Sequence, residues 1–169
     1  MSPELPDIAA VLPHGPSMRL LDRVAWLEPG RVLLAERTVG ADEPCFAGLP
    51  AGLAPASRPY PCSLVLESFG QAAAVLWSAL SGRLAEEHEV LMLAAARDCR
   101  FTGRAYPGQT LTHEVRLDHA VADTGFASGR TTVDGREIAD VGTLIAVIRP
   151  RSPLLAGRSA HVVSDRPPG

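Results

Sequence analysis

Apolar residues are densest between Ser63 and Ser81, SLVLESFGQAAAVLWSALS, a segment in which Glu67 is the only charge. The period is helical: Leu64, Glu67, Gln71 and Val75 fall near one face, and Leu66, Phe69, Ala73, Leu76, Trp77 and Leu80 cover much of the rest. A helix apolar nearly all round belongs in an interior. The spacing predicts its start after Pro59 and Pro61 with Ser63 as N-cap, and its end at Gly82. A membrane span would have the same length, but Glu67 and Gln71 near the middle and the lack of a second such segment favour a protein core. A lone carboxylate in such a segment must find partners or have its pKa raised, which makes Glu67 the first residue to explain.

Around this helix the pattern is that of strands. Asp7 to Leu12 reads as a short helix capped by Asp7 and stopped by Pro13; the stretch 12–30 carries no assigned element, and Arg31 to Val39 reads as a strand. Residues 40–61 are rich in Gly, Pro and Ala and read as a long loop of the functional or mobile kind. After the helix, Glu89–Arg97, Thr110–Leu117, Gly125–Val133 and Ile138–Ile148 read as strands, with Pro107-Gly108 as a turn and Asp134-Gly135 as a hairpin. Thr110–Leu117 alternates, with Leu111, Val115 and Leu117 opposite Thr112, Glu114 and Arg116. One domain over residues 1–150 and a disordered tail over 151–169 follow from these periods. One buried helix with strands before and after it predicts an α+β domain in which an antiparallel sheet wraps a long central helix, the hotdog arrangement. Such a sheet leaves a face or edge for a partner subunit.

Composition narrows the function. The chain has 169 residues, is 46% hydrophobic and carries a net charge of -3, with no basic patch that would suit nucleic acid. Cys45, Cys62 and Cys99 form no CxxC pair, and their odd number fits a reducing compartment. The start MSPELPDIAAVL lacks the basic-then-apolar form of a secretory signal, so a cytoplasmic protein is expected.

Four motifs in register, LPHGPSMRLLDRV, DEPCFAG, PCSLVLESFGQAA and RDCRFTGRAYPGQTLTHEV, resemble the 3-hydroxyacyl-[acyl-carrier-protein] dehydratases over about residues 11 to 148. The resemblance implies a catalytic role for Glu67, a matching position for Gln71, and docking of a thioester carbonyl at the helix N-terminus beside Cys62 and Ser63. It also implies an acyl carrier protein as substrate carrier and no cofactor. The chemistry needs a base for the C2 proton, an acid for the departing 3-hydroxyl, and donors for the charge that develops on the thioester oxygen. A half-buried carboxyl with a raised pKa suits the acid.

The departures carry as much weight. The dehydratases hold a catalytic His in a G-H-F-P-G motif, whereas here LPAGLAPASRPYP follows DEPCFAG and no His occurs between His14 and His88. Leu49 or Leu53 falls where that His is expected. Pro61-Cys62 stands where the family has Pro-Gly. Cys62 reads either as a thiol activated by the helix start or as a small side chain replacing Gly, with Cys45 and Cys99 as buried small hydrophobes. His14 belongs to the LPH motif, whose family role looks structural. His113 and His119 lie on one strand roughly 20 Å apart, too far to share a metal, and no metal site is expected.

In the resembling family each active site draws His from one chain and Glu from the other. This chain is therefore expected to be the His-lacking subunit of a heterodimeric dehydratase, supplying Glu67, similar to the His-lacking subunits of polyene pathways. The alternatives are a hotdog thioesterase, in which a helical carboxylate activates water, and a non-catalytic acyl-binding partner.

Overall fold

The computed structural model describes residues 5–82 and 89–150. Helix α1 (Ile8–Val11) opens them, capped by Asp7, whose carboxylate accepts from Ala9 N–H at 2.9 Å. Strands β1 (Arg23–Glu28) and β2 (Val32–Thr38) follow, then helix α2 (Cys62–Ser81) and strands β3 (Glu89–Phe101), β4 (Thr110–Val121), β5 (Thr124–Val133) and β6 (Arg136–Pro150). Six strands form one antiparallel sheet in the order β1-β2-β4-β5-β6-β3. The sheet wraps α2, as the sequence predicts for a hotdog fold.

α2 is long and apolar enough to cross a membrane by composition, yet from Gln71 to Ser78 every residue is buried inside the protein. Phe69, Ala72, Val75 and Leu76 pack on Leu33, Ala35, Val115, Ala127, Val141 and Leu144 of the sheet. Burying one such side chain contributes about 1.5–3 kcal/mol. Trp77 lies flat over β5 because position 125 is glycine: a Cβ there would sit 3.0 Å from the indole ring. The helix ends as expected at Gly82, in the left-handed region at φ 72°. Its start differs, since the N-cap is Pro61, Cys62 is already helical, and Ser63 makes no capping hydrogen bond. Pro61 carries no donor and fixes its own φ, so the helix can begin one residue before the hydroxyl that was expected to cap it.

The strand missing from the sequence reading is β1. Its register on β2 shifts between Val24 and Trp26, so Val24 and Leu27 are buried three residues apart and the two-residue alternation is broken. The β5–β6 hairpin turns at Asp134-Gly135 as expected, with φ 51° and 76°. The β4–β5 hairpin turns at Ala122-Asp123, with Ala122 at φ 49°, a turn that no Gly announces.

The loop 40–61 is anchored. Phe46 and Tyr60 are buried with Val39, Ala105, Leu111 and Ile138 in a second apolar cluster below the start of α2. Arg37 on β2 bridges Asp22, at 2.9 Å, and the buried Glu43, which also accepts from Gly40 N–H at 3.1 Å. Burial, and after it the Glu43 carboxylate, pushes the Tyr60 phenol up to about 12. The tail 151–169, expected to be disordered, and His88 and His161 lie outside the described residues.

Candidate active site

One face of α2 carries Glu67, Gly70, Gln71 and Ala74, spaced three, four and seven residues from the carboxylate. These four line a cleft of about 160 Å³ with His14, with Leu91 and Leu93 of β3, and with Leu144 and Ala146 of β6. The glycine and alanine leave space where larger side chains would fill the groove. The cleft is therefore apolar along its length and polar at one end.

Gln71 is held on three sides. Its Oε1 accepts from Leu20 N–H at 2.8 Å, and its Nε2 donates to Met18 carbonyl oxygen at 2.8 Å and to Glu67 Oε1 at 3.0 Å. The chain 18–20 thus fixes the amide, and the amide orients the carboxylate. Glu67 is 34% exposed, so it is half-buried, and it answers its apolar surroundings with partners. The second partner is His14, whose Nε2 lies 3.5 Å from the same Oε1. Sequence reasoning gave His14 a packing role. The one signal available was the apolar turn on either side of it, which could not say that it meets α2.

Beneath the site runs a buried network. Ser68, next to Glu67, donates from Oγ to Leu20 carbonyl oxygen at 2.5 Å and lies 2.7 Å from His113 Nε2. His113 Nδ1 lies 2.8 Å from Thr131 Oγ1. With the Ser68 proton committed to Leu20, the imidazole keeps its proton on Nε2 and Nδ1 accepts from Thr131. His113 is fully buried, and that burial lowers its pKa to about 3. It is a neutral structural residue.

Of the four residues expected to form the site, the structure brings Glu67 and Gln71 together. Cys62 and Ser63 are exposed at the helix start, about 6–8 Å up the axis from Glu67, and do not line the cleft. Leu64 and Val65 N–H groups reach Pro61 carbonyl oxygen at 3.0 and 3.1 Å, and no side chain caps the helix, so the N–H groups of Cys62 and Ser63 have no acceptor among the described residues. Cys45 and Cys99, expected to be buried, are each only partly buried, packed against the margins of the two apolar clusters.

Two of the cavities larger than the cleft bear on the reading of the site. One, of about 430 Å³, lies in the loop 41–58 and is lined among others by Asp42, Glu43, Phe46 and Arg58 and by Leu49 and Leu53, either of which falls where the resembling family's His is expected. The other, about 500 Å³, is a groove on the outer sheet face around Trp26, whose Glu114 and Arg116 are paired with each other at 2.7 Å. Among the described residues no three His, Cys, Asp or Glu side chains come together as a metal donor set.

A sequence model of the FabA-like domain matches residues 12–142. The chain belongs to the FabA-like family. A 3-hydroxyacyl-[acyl-carrier-protein] dehydratase FabZ of Actinobacillus pleuropneumoniae is 34% identical over 143 residues, covering 85% of this chain and 90% of the relative. The corresponding FabZ of Chloroflexus aggregans is 36% identical over 145 residues, covering 85% and 95%. Among solved structures the chain is similar to the dehydratase heterocomplex ApeI:P of Xenorhabdus doucetiae, with TM-score 0.71, 20% identity, and coverage of 90% of this chain and 97% of that one. A mutant thioesterase PA1618 of Pseudomonas aeruginosa matches with TM-score 0.60, 12% identity, and coverage of 89% and 96%. At those identities the last two share the fold. The chain is a dehydratase-like hotdog protein, as its motifs implied.

Proposed function

We propose that this chain is one half of a two-chain dehydratase acting on 3-hydroxyacyl thioesters of an acyl carrier protein in the cytoplasm, and that it contributes Glu67 to a site whose His comes from the partner. The observation that carries this reading is the pairing of a carboxylate, held by Gln71 at the end of an apolar cleft, with a loop at 41–58 whose lining residues include no His and whose Glu43 is tied up in an ion pair with Arg37. The FabZ relatives and the fold of the ApeI:P heterocomplex support it.

In the reaction the partner's His takes the C2 proton of the thioester. Glu67, in its acid form, gives its proton to the 3-hydroxyl; the C3–O bond breaks, water leaves, and a 2-enoyl thioester remains. The proton on His and the vacancy on Glu67 then equalise through solvent. The negative charge that develops on the thioester oxygen is met by the N–H groups of Cys62 and Ser63, with the positive end of the α2 dipole behind them. The acyl chain follows Gly70, Ala74, Leu91 and Leu93 away from the carboxyl end. A thioesterase reading could use Glu67 as well, but it has only fold likeness behind it, whereas the dehydratase reading also has the FabZ relatives.

β3 supplies the surface for the partner. It is one of the two sheet edges, and it exposes Met92 (49%), Leu93 (46%) and Phe101 (39%), apolar side chains that an unpaired edge strand would ordinarily avoid. Leu91 and Leu93 line the cleft from this same strand, so covering the edge also closes the cleft. Mixing this chain with a His-bearing dehydratase subunit is expected to give a one-to-one complex on gel filtration, and Leu93→Glu is expected to weaken it tenfold or more, since it buries an unpaired charge. A Leu93→Glu chain that assembles as well as wild type contradicts assembly through β3.

A further inference from the structure

Glu67 has two oxygens and both of its donors aim at one of them. Gln71 Nε2 is 3.0 Å from Oε1 and His14 Nε2 is 3.5 Å from the same atom, whereas Oε2 has no hydrogen-bonding partner among the described residues. Gln71 cannot follow a moving carboxylate, because Met18 and Leu20 fix its amide at both ends. His14 comes from a different segment, the turn before the 3₁₀ helix Pro16–Met18, and closes on Oε1 from the side. Its Nδ1 is buried without a partner among the described residues, so a proton placed there would be left unsatisfied. The ring therefore keeps its proton on Nε2, facing the carboxylate. The separation of 3.5 Å exceeds an ordinary hydrogen bond, and contacts of this kind in unliganded sites commonly tighten when substrate binds.

We propose that His14 is a positioning residue which, with Gln71, engages Oε1 of Glu67 and so leaves Oε2 as the oxygen that carries the proton to the departing hydroxyl. Two N–H donors on Oε1 leave no room for a proton on that atom, so the acid form of Glu67 is protonated on Oε2. In the elimination the Oε2–H bond breaks as the new O–H bond of water forms, and the carboxylate left behind is stabilised at Oε1 by the same two donors. Substrate affinity comes from the apolar cleft and the helix start, so His14 acts on the chemical step. This inference rests on the reading of Glu67 given above.

The test uses the complex of this chain with its His-bearing partner and compares His14→Phe, which keeps ring volume without a donor, with His14→Gln, which restores a donor at about the reach of Nε2. Glu67→Gln serves as the reference. In His14→Phe, kcat is expected to fall about tenfold with KM within about twofold, and in His14→Gln most of that loss is expected to return. Equal losses in His14→Phe and His14→Gln, or no loss in either while Glu67→Gln is impaired, would overturn the positioning role and leave the role of Glu67 standing. Full activity of Glu67→Gln would overturn both.

Discussion

Purified alone and freed of the host's own dehydratase, this chain is expected to dehydrate a 3-hydroxyacyl carrier-protein thioester about 10²- to 10⁴-fold more slowly than its complex with a His-bearing subunit. The magnitude is that of a lost general base. The site supplies an acid at Glu67, donors at the helix start and a channel for the acyl chain. The loop where the His is expected presents Leu49 and Leu53 instead, its Glu43 carboxylate is paired with Arg37, and the Arg58 guanidinium lies 5.7 Å from the Phe46 ring centroid and donates to Ala41 carbonyl oxygen. A guanidinium has donors and no acceptor, so it cannot take the C2 proton. Of the described histidines, His113 is sealed in the core and His119 stacks on Phe126 with ring centroids 4.0 Å apart. His14 is occupied at Glu67. Turnover by the isolated chain at the rate of the complex would make His14 the base and remove the need for a partner.

The second large effect concerns stability in acid. The folded protein holds His113 neutral, with its pKa lowered from 6.5 to about 3, whereas the unfolded chain protonates it normally. Between these values the unfolded state binds a proton that the folded state refuses. Stability is therefore complete above about pH 6.5 and falls by about 1.4 kcal/mol per unit as the pH drops toward 3. His113→Leu removes this dependence. It also leaves Thr131 Oγ1 without its imidazole partner in the core, which costs about 1–3 kcal/mol at neutral pH. Denaturant midpoints measured from pH 8 to pH 5 are expected to show a lower but flatter profile for His113→Leu than for wild type. Parallel profiles would mean that His113 carries its proton in the folded state.

These two residues mark what the chain discloses before it folds. The buried helix, the strands after it and the Asp134-Gly135 hairpin follow from periodicity, because each is a local pattern packed on one face. β1 escapes for a local reason too, since its bulge between Val24 and Trp26 puts two core residues three apart. Glu67 is legible because a single charge in a segment of nineteen residues demands explanation. His113 is a polar side chain on the apolar face of an alternating strand, with nothing in the sequence to show what it bonds. Its alternation puts it on the face of Leu111 and Val115, but only the fold shows that Ser68 and Thr131 receive it there. His14 and Glu67 are far apart along the chain, and a contact between two such segments leaves no periodic trace in either. The N-cap lies two residues before the expected Ser63, because a hydroxyl after two prolines signals a cap more strongly than Pro61 itself.

The most direct measurement is turnover of a carrier-bound 3-hydroxyacyl substrate by the complex containing Glu67→Gln. The amide keeps the shape of the side chain and can still meet Gln71, so the complex is expected to assemble and to elute as wild type. What it cannot do is give up a proton to the departing hydroxyl. Turnover lower by about 10²- to 10⁴-fold in an intact complex is the expected result; unchanged turnover in that complex would show that Glu67 is structural and that this chain serves its partner only as a scaffold.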